Sequence, residues 1–294
     1  MFTKWKYAIK VHCWGGLGSQ LFAWALIEDL QNRFPRRRII LVAHTGGITY
    51  RNIELADLAP NLTIRILDDF LTTKEIVLTR RGCMDFRDKL AELLKRLALA
   101  SGFLAEANNT AQFTKLRPWV SSIRGHYSFR SISRLTLEEM QKHSLTGKVA
   151  LFPQNFEIKE AIGIHYRLGD LLNLSEKTFV KASRILKLIE NDYIDSKFDW
   201  CVVFSDSPIK AKNLLHSLAQ KFDLEIPEEN TLSTIQKLSQ YRNFIGTNSK
   251  ISIWVVLFRD YLTISGTNYL PIDLRLSTET LFSETLYQNV NYYP

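Results

Sequence analysis

Three times in the second half of this 294-residue chain, a short apolar run gives way to a small polar loop and then to a helical pattern. Residues 161–164 lead into His165-Tyr166-Arg167-Leu168-Gly169-Asp170 and a helix expected over 178–192. Residues 200–204 lead into Ser205-Asp206-Ser207-Pro208 and a helix to 222. Residues 243–246 lead into Thr247-Asn248-Ser249 and a helix through 262. Strands that are each followed by a helix pair in parallel, with helices covering both faces of the sheet. The C-terminal ends of such strands share one edge, and ligands bind in the crevice there. The three polar loops are therefore expected at one rim of one sheet.

The first half opens in the same way. Residues 7–13 alternate as a strand, Trp14-Gly15-Gly16-Leu17-Gly18-Ser19 is a glycine turn, 20–33 reads as a helix and 38–43 as a second strand. The pattern is then irregular until 88–97. There Leu90, Leu93, Leu94 and Leu97 fall at i, i+3, i+4 and i+7, the stripe of an amphipathic helix, with Lys89, Lys95 and Arg96 on its polar side. Such a stripe is expected to face the core; the alternative is an anionic membrane surface. The polar connection at 145–160, with Pro153 and Asn155, marks the expected boundary between domains 1–155 and 156–294.

Composition narrows the class. With 46% hydrophobic and 23% charged residues the chain is expected to be globular, with an ample core. No apolar run approaches the roughly 18 residues of a membrane span, and residues 1–6 lack the pattern of a signal peptide. Cys13, Cys83 and Cys201 are too widely spaced for a metal site, which fits a reducing cytoplasm. Charge is uneven: residues 1–155 hold 23 Lys/Arg against 13 Asp/Glu, and 156–294 hold 15 against 17. Aromatics are not interleaved with the basic runs, as Arg36-Arg37-Arg38 and Arg80-Arg81 illustrate, so no nucleic-acid stacking platform is expected. Peripheral contact with an anionic lipid surface fits the basic half better.

The polar loops suit an anionic ligand. Arg167 offers a planar fork of donors to phosphate oxygens. Asn248 or Ser249 is placed to cap a helix whose free N–H groups and dipole favour a phosphate. Gly-Gly-Leu-Gly matches neither the dinucleotide signature nor a Gly-Lys-Ser/Thr phosphate loop. No Asp-x-Asp triplet occurs, so a metal–diphosphate clamp has no evident ligands. A bland reading of each loop is also available: Arg167 and Asp170 as a surface ion pair, and Ser-Asp-Ser-Pro as an ordinary helix start.

Four of these segments, in order, resemble motifs of the α-1,2-fucosyltransferases, glycosyltransferase family 11. Trp14-Gly15-Gly16-Leu17-Gly18-Ser19-Gln20-Leu21-Phe22 is similar to that family's Gly-Gly-Leu-Gly-Asn-Gln-Leu-Phe opening. His165-Tyr166-Arg167-Leu168-Gly169-Asp170 is similar to its His-x-Arg-(Arg)-Gly-Asp. Phe204-Ser205-Asp206 resembles its Phe-Ser-Asp-Asp, and Asn248-Ser249-Lys250-Ile251-Ser252-Ile253-Trp254 its Asn-Ser-Thr-Phe-Ser-Trp-Trp. Ser19, Leu168, Ser207 and Ile253 depart from the family pattern.

The resemblance implies an α/β fold of GT-B type, two Rossmann-like domains with a cleft between them. The first domain would take the acceptor and the second the donor. It implies an inverting, metal-independent enzyme with no cofactor, moving L-fucose from GDP-L-fucose to the 2-OH of galactose. The acceptor would be a galactose-containing glycan, as in a lipid-linked O-antigen precursor at the cytoplasmic face of a membrane. GDP-colitose or another GDP-6-deoxyhexose stays open as donor, as does a non-catalytic nucleotide- or glycan-binding relative.

By the same resemblance, Arg167 would neutralise the leaving diphosphate, with His165 as a supporting donor. Ser205 and Asp206 would lie at the nucleotide, Asp206 holding base or ribose. Asn248, Ser249 and Ser252 would contact phosphates, and Gly15, Gly16, Gly18 and Gln20 would line the donor from the first domain. Asp170 is placed either as general base or as a lock on Arg167. In Arg124-Gly125-His126-Tyr127-Ser128-Phe129, His126 is a second candidate base and Tyr127 an aromatic face for a sugar.

Overall fold

A computed structural model describes residues 8–46, 52–68, 86–106, 116–125, 127–129, 131–147, 149–153, 156–169, 179–193, 200–220, 222–274 and 290–294. The chain divides into two compact units, Met1–Ala150 and Leu151–Pro294.

In the first unit, β1 (Ile9–Trp14) runs into α1 (Leu17–Arg33), followed by β2 (Ile39–His44), α2 (Leu55–Leu58) and β3 (Ile64–Leu67). Then come α3 (Phe86–Ser101), β4 (Leu104–Glu106), β5 (Ser122–Arg124) and α4 (Arg134–Ser144). The five strands form one parallel sheet in the order β3-β2-β1-β5-β4. Ile9, Val11 and Cys13 of β1 are buried with Leu21, Trp24 and Ala25 of α1. Burying an apolar side chain of Val, Leu or Ile size contributes roughly 1.5–3 kcal/mol, so this seam holds the strand and helix together. Ser133 caps α4, its Oγ accepting the Thr136 N–H at 3.1 Å.

The second unit contains β6 (Lys159–His165), α5 (Ala182–Tyr193), β7 (Trp200–Phe204), α6 (Pro208–Leu214), α7 (His216–Ala219) and β8 (Asp223–Glu225). It continues with α8 (Thr231–Leu238), β9 (Tyr241–Ile245), α9 (Lys250–Tyr261), β10 (Asn268–Pro271) and β11 (Val290–Tyr293). Its parallel sheet has the order β11-β10-β9-β6-β7-β8. Counted along the unit and read from the other edge, that is strand order 3-2-1-4-5-6, the doubly wound arrangement of nucleotide-binding folds. Two Rossmann-like α/β units in one chain are the make-up expected of a GT-B-type fold.

α9 is apolar nearly all round, and Ile251 through Arg259 are buried. The guanidinium of Arg259 is enclosed. Its Nε donates to Asn268 Oδ1 at 2.6 Å, Nη2 to the Arg242 carbonyl at 2.8 Å and Nη1 to the Tyr241 carbonyl. Helix α9 is thereby fastened to β9 and β10.

Two expectations are corrected. The helix expected up to 222 is two short helices, because Leu215 leaves helical geometry (φ −100°, ψ 14°). The break lets Ala211, Leu215 and Leu218 all enter one core with Ile164 and Val203. The leucine stripe of α3 does not face the core: Leu90, Leu93, Leu94 and Leu97 are 45–57% exposed. Among the described residues, no helix is long and apolar enough to cross a membrane.

Candidate functional site

In a doubly wound sheet the strand order reverses at one point, where two adjacent strands send their chains to opposite sides and leave a crevice. In the second unit that point lies between β6 and β9. The segment 165–169 leaves β6 there and Thr247-Asn248-Ser249 leaves β9, while Ser205-Asp206 follows β7 next door.

Arg167 is the cation of this rim, its side chain one-quarter exposed. Its backbone N–H donates to Thr247 Oγ1 at 2.9 Å, and its Nε lies 3.9 Å from Asp206 Oδ2. Asp206 Oδ1 accepts the Leu168 N–H at 2.9 Å and the Gly169 N–H at 3.1 Å. One carboxylate therefore shapes the loop backbone with one oxygen and faces the guanidinium with the other. Gly169 suits that closeness, since a Cβ there would meet Asp206 Oδ2 at 2.3 Å and the carboxylate would have to shift.

His165 is buried at the end of β6, and its Nδ1 shares a 2.8 Å hydrogen bond with Ser252 Oγ. Burial, and then the nearby Arg167 charge, push its pKa down to about 3. It is a neutral hydrogen-bonding group at ordinary pH, and the charge at the rim belongs to Arg167. Ser252 Oγ also accepts the Thr247 N–H at 3.0 Å, so Ser252 braces the loop. Ser249 caps α9, its Oγ accepting the Ile251 N–H at 3.2 Å. Asn248 lies in the same turn, and Ser205 Oγ accepts the Ser207 N–H at 3.1 Å ahead of α6. His165, Arg167, Ser205, Asp206, Asn248, Ser249 and Ser252 thus share one rim. Asp170 and His126 lie outside the described residues, as do Arg80, Arg81 and Cys83.

The corresponding rim of the first unit lies where β1 stands between β2 and β5. Gly15 has φ +105°, a left-handed conformation that glycine adopts without strain. Gly16 is the N-cap of α1, and Gly18 is buried inside that helix. Gln20, expected to touch substrate, is instead wholly buried. Its Nε2 donates to the carbonyls of Gly15 (3.2 Å) and Asn52 (2.8 Å), and its Oε1 accepts the N–H groups of Glu54 (3.0 Å) and Leu55 (3.1 Å). It ties the glycine turn to α2. Tyr127, expected to offer a face to a sugar, is only 3% exposed; its hydroxyl donates to the His12 carbonyl at 2.5 Å. The exposed aromatic of this rim is Trp14 (39%), stacked on His44. His12 and His44 were not anticipated; the one sequence signal was their position at or next to the ends of strands.

Among the described residues, no group of three His, Cys, Asp or Glu side chains converges as a metal site. The sequence matches no protein-family model and no curated protein. Among solved structures, the chain is similar to a glycosyl transferase of family 9 from Veillonella parvula, at 12% identity and TM-score 0.43, covering 92% of this chain and 81% of the other. It is similar to NodZ α-1,6-fucosyltransferase soaked with GDP-fucose, at 13% identity and TM-score 0.44, covering 85% and 92%. It is also similar to Escherichia coli ADP-heptose lps heptosyltransferase II, at 11% identity and TM-score 0.46, covering 97% and 89%. These superpositions are loose and place the chain in none of those families.

Proposed function

We propose that the protein is a glycosyltransferase that takes a GDP-sugar at the β6–β9 rim and transfers the sugar, with inversion and without a metal, to a glycan hydroxyl. The observation that carries this reading is the placement of Arg167. A fixed cation, held through its own backbone by Thr247 and faced by Asp206, stands where the doubly wound order reverses. A group with donors preset in this way stabilises charge as it develops on a departing diphosphate. The amide groups at the start of α9 add donors of the same sign. A neutral His165 contributes a hydrogen bond without competing for the phosphate charge.

The four family-11-like segments make GDP-L-fucose the donor of choice and the 2-OH of galactose the acceptor group. GDP-colitose is the alternative, distinguished by assaying both donors. The exposed leucines of α3 support peripheral attachment to an anionic membrane bearing a lipid-linked acceptor, since Arg96 and the leucines share the exposed surface of one helix.

The decisive experiment is calorimetric titration of the purified protein with GDP, UDP and dTDP in the presence of a chelator, repeated for Arg167→Ala. Selective GDP binding, weakened by about 2 kcal/mol in the variant as loss of a charge-assisted contact requires, is the expected result. Binding that ignores Arg167, or that appears only with a divalent metal, would overturn the proposal.

A further inference from the structure

The rim of the first unit carries chemistry that donor binding does not use. β1 and β2 run in register, with Trp14 directly opposite His44 and His12 opposite Val42. Alternation along the strands puts Lys10, His12 and Trp14 on one face with Ile40, Val42 and His44. There three rings form a stack. Trp14 and His44 lie 4.1 Å apart at 15°, His12 and His44 5.2 Å apart at 29°, and His12 and Trp14 5.9 Å apart at 18°. His12 Nδ1 and His44 Nε2 are joined by a 2.9 Å hydrogen bond.

Such a bond needs one ring nitrogen to donate and the other to accept, so both rings cannot be cations. Burial, then Arg124, His44 and Lys10, lower the His12 pKa to about 4. His12 is therefore neutral at ordinary pH. Both imidazoles are buried and polar, which is tolerable only because they are paired. They fix the plane of an indole that is itself 39% exposed. A rigid aromatic face backed by buried, mutually bonded rings is a built surface, and it stands beside the Gly15 turn where the order of this sheet reverses.

We propose that Trp14 is the platform for a pyranose ring of the acceptor glycan, with His12 and His44 as positioning residues that hold the indole. A sugar is neutral, with a C–H face that packs on an aromatic ring and hydroxyls that bond at its edge. An anionic nucleotide finds its fixed cation at the Arg167 rim rather than in these rings. The assignment of the sugar as acceptor rests on the glycosyl-transfer reading; the sugar subsite itself does not.

The test is saturation-transfer NMR on the full chain with methyl β-galactoside, β-glucoside, β-N-acetylglucosaminide and α-mannoside, with and without GDP. At least one glycoside is expected to receive saturation through its ring C–H groups. Trp14→Ala should weaken that binding at least tenfold, Trp14→Phe should keep part of it, and His44→Phe should keep more than His44→Ala. In indole-15N spectra of the unmodified protein, the resonance that Trp14→Phe removes should be the one the glycoside shifts, a readout independent of whether the alanine variant folds. If no glycoside binds, or if it binds without moving that resonance, the subsite is wrong. GDP titrations of the same samples separate the two readings. GDP bound with no glycoside sinks only the subsite; glycoside bound at Trp14 with no GDP sinks only the donor reading.

Discussion

The two sheets are built alike and furnished differently. Both are parallel, both reverse strand order beside a loop that follows a central strand, and both bury an apolar strand against helices. The second unit brings a guanidinium, a carboxylate and several hydroxyls to its rim; the first brings an indole and two imidazoles. One scaffold geometry thus presents an ionic, hydrogen-bonding surface in one unit and an aromatic stacking surface in the other. The lesson is that the doubly wound sheet supplies a place, while side chains at strand ends choose the chemistry.

The comparison is broken most directly by Arg167→Ala. Turnover with GDP-fucose should fall on the order of a hundredfold or more, as for loss of one preset donor to a developing charge, while glycoside binding to the first unit stays unchanged. Kinetic assay alongside NMR checks both halves; equal loss on both sides would mean that the rims do not divide the work.

Acid should expose what the rims share. His12 and His165 are held neutral, at about 4 and about 3 against an ordinary 6.5. Below pH 6.5 the unfolded chain takes up protons that the folded chain refuses. Stability is thus complete above pH 6.5 and drains away as pH falls toward 3–4, by about 2 kcal/mol per imidazole over the first two pH units. Thermal melts from pH 7.5 to 4.5 should show this, and His165→Asn should flatten the fall. A melting temperature level across that range would refute the neutral, buried assignment.

A finer probe of the second rim is Gly169→Ala. The new Cβ must displace the Asp206 carboxylate, loosening its two backbone bonds and its approach to Arg167. GDP affinity should drop about tenfold, the magnitude of one hydrogen bond to a charged group. The smallest effect on stability belongs to Leu93→Ser with Leu97→Ser. These side chains are 54% and 57% exposed, so each change should cost under roughly 0.5 kcal/mol. Sedimentation with anionic vesicles should nonetheless fall, and unchanged sedimentation would remove the membrane role from α3.

Five of the eleven strands among the described residues were legible in the sequence, and the reason is physical. β1, β2, β6, β7 and β9 are mostly buried runs of five to seven residues. The other six, β3, β4, β5, β8, β10 and β11, are three or four residues long, too short to show a period of two. The second rim was readable because its residues follow their strands directly in sequence. The first was not, because His12 and His44 meet only through strand register, 32 positions apart. The backbone partners of Gln20 and Tyr127 are hidden for a related cause: they lie 32 and 115 positions away in the chain. The α3 stripe was misread because periodicity reports that a helix has an apolar face, not what that face meets.

Arg259 has a consequence for motion. It closes the far end of the β9–turn–α9 segment by binding the carbonyls of Tyr241 and Arg242, where β9 begins, while Ser252 closes the near end on His165 and Thr247. The turn at 247–249 is clasped from both sides and has no hinge of its own. To open it from the near side, Ser252 must give up its buried bonds to His165 and Thr247. The Thr247 amide proton, bonded to Ser252 Oγ in buried surroundings, should then exchange with solvent far more slowly than the amides of an exposed loop, and Ser252→Ala should speed it.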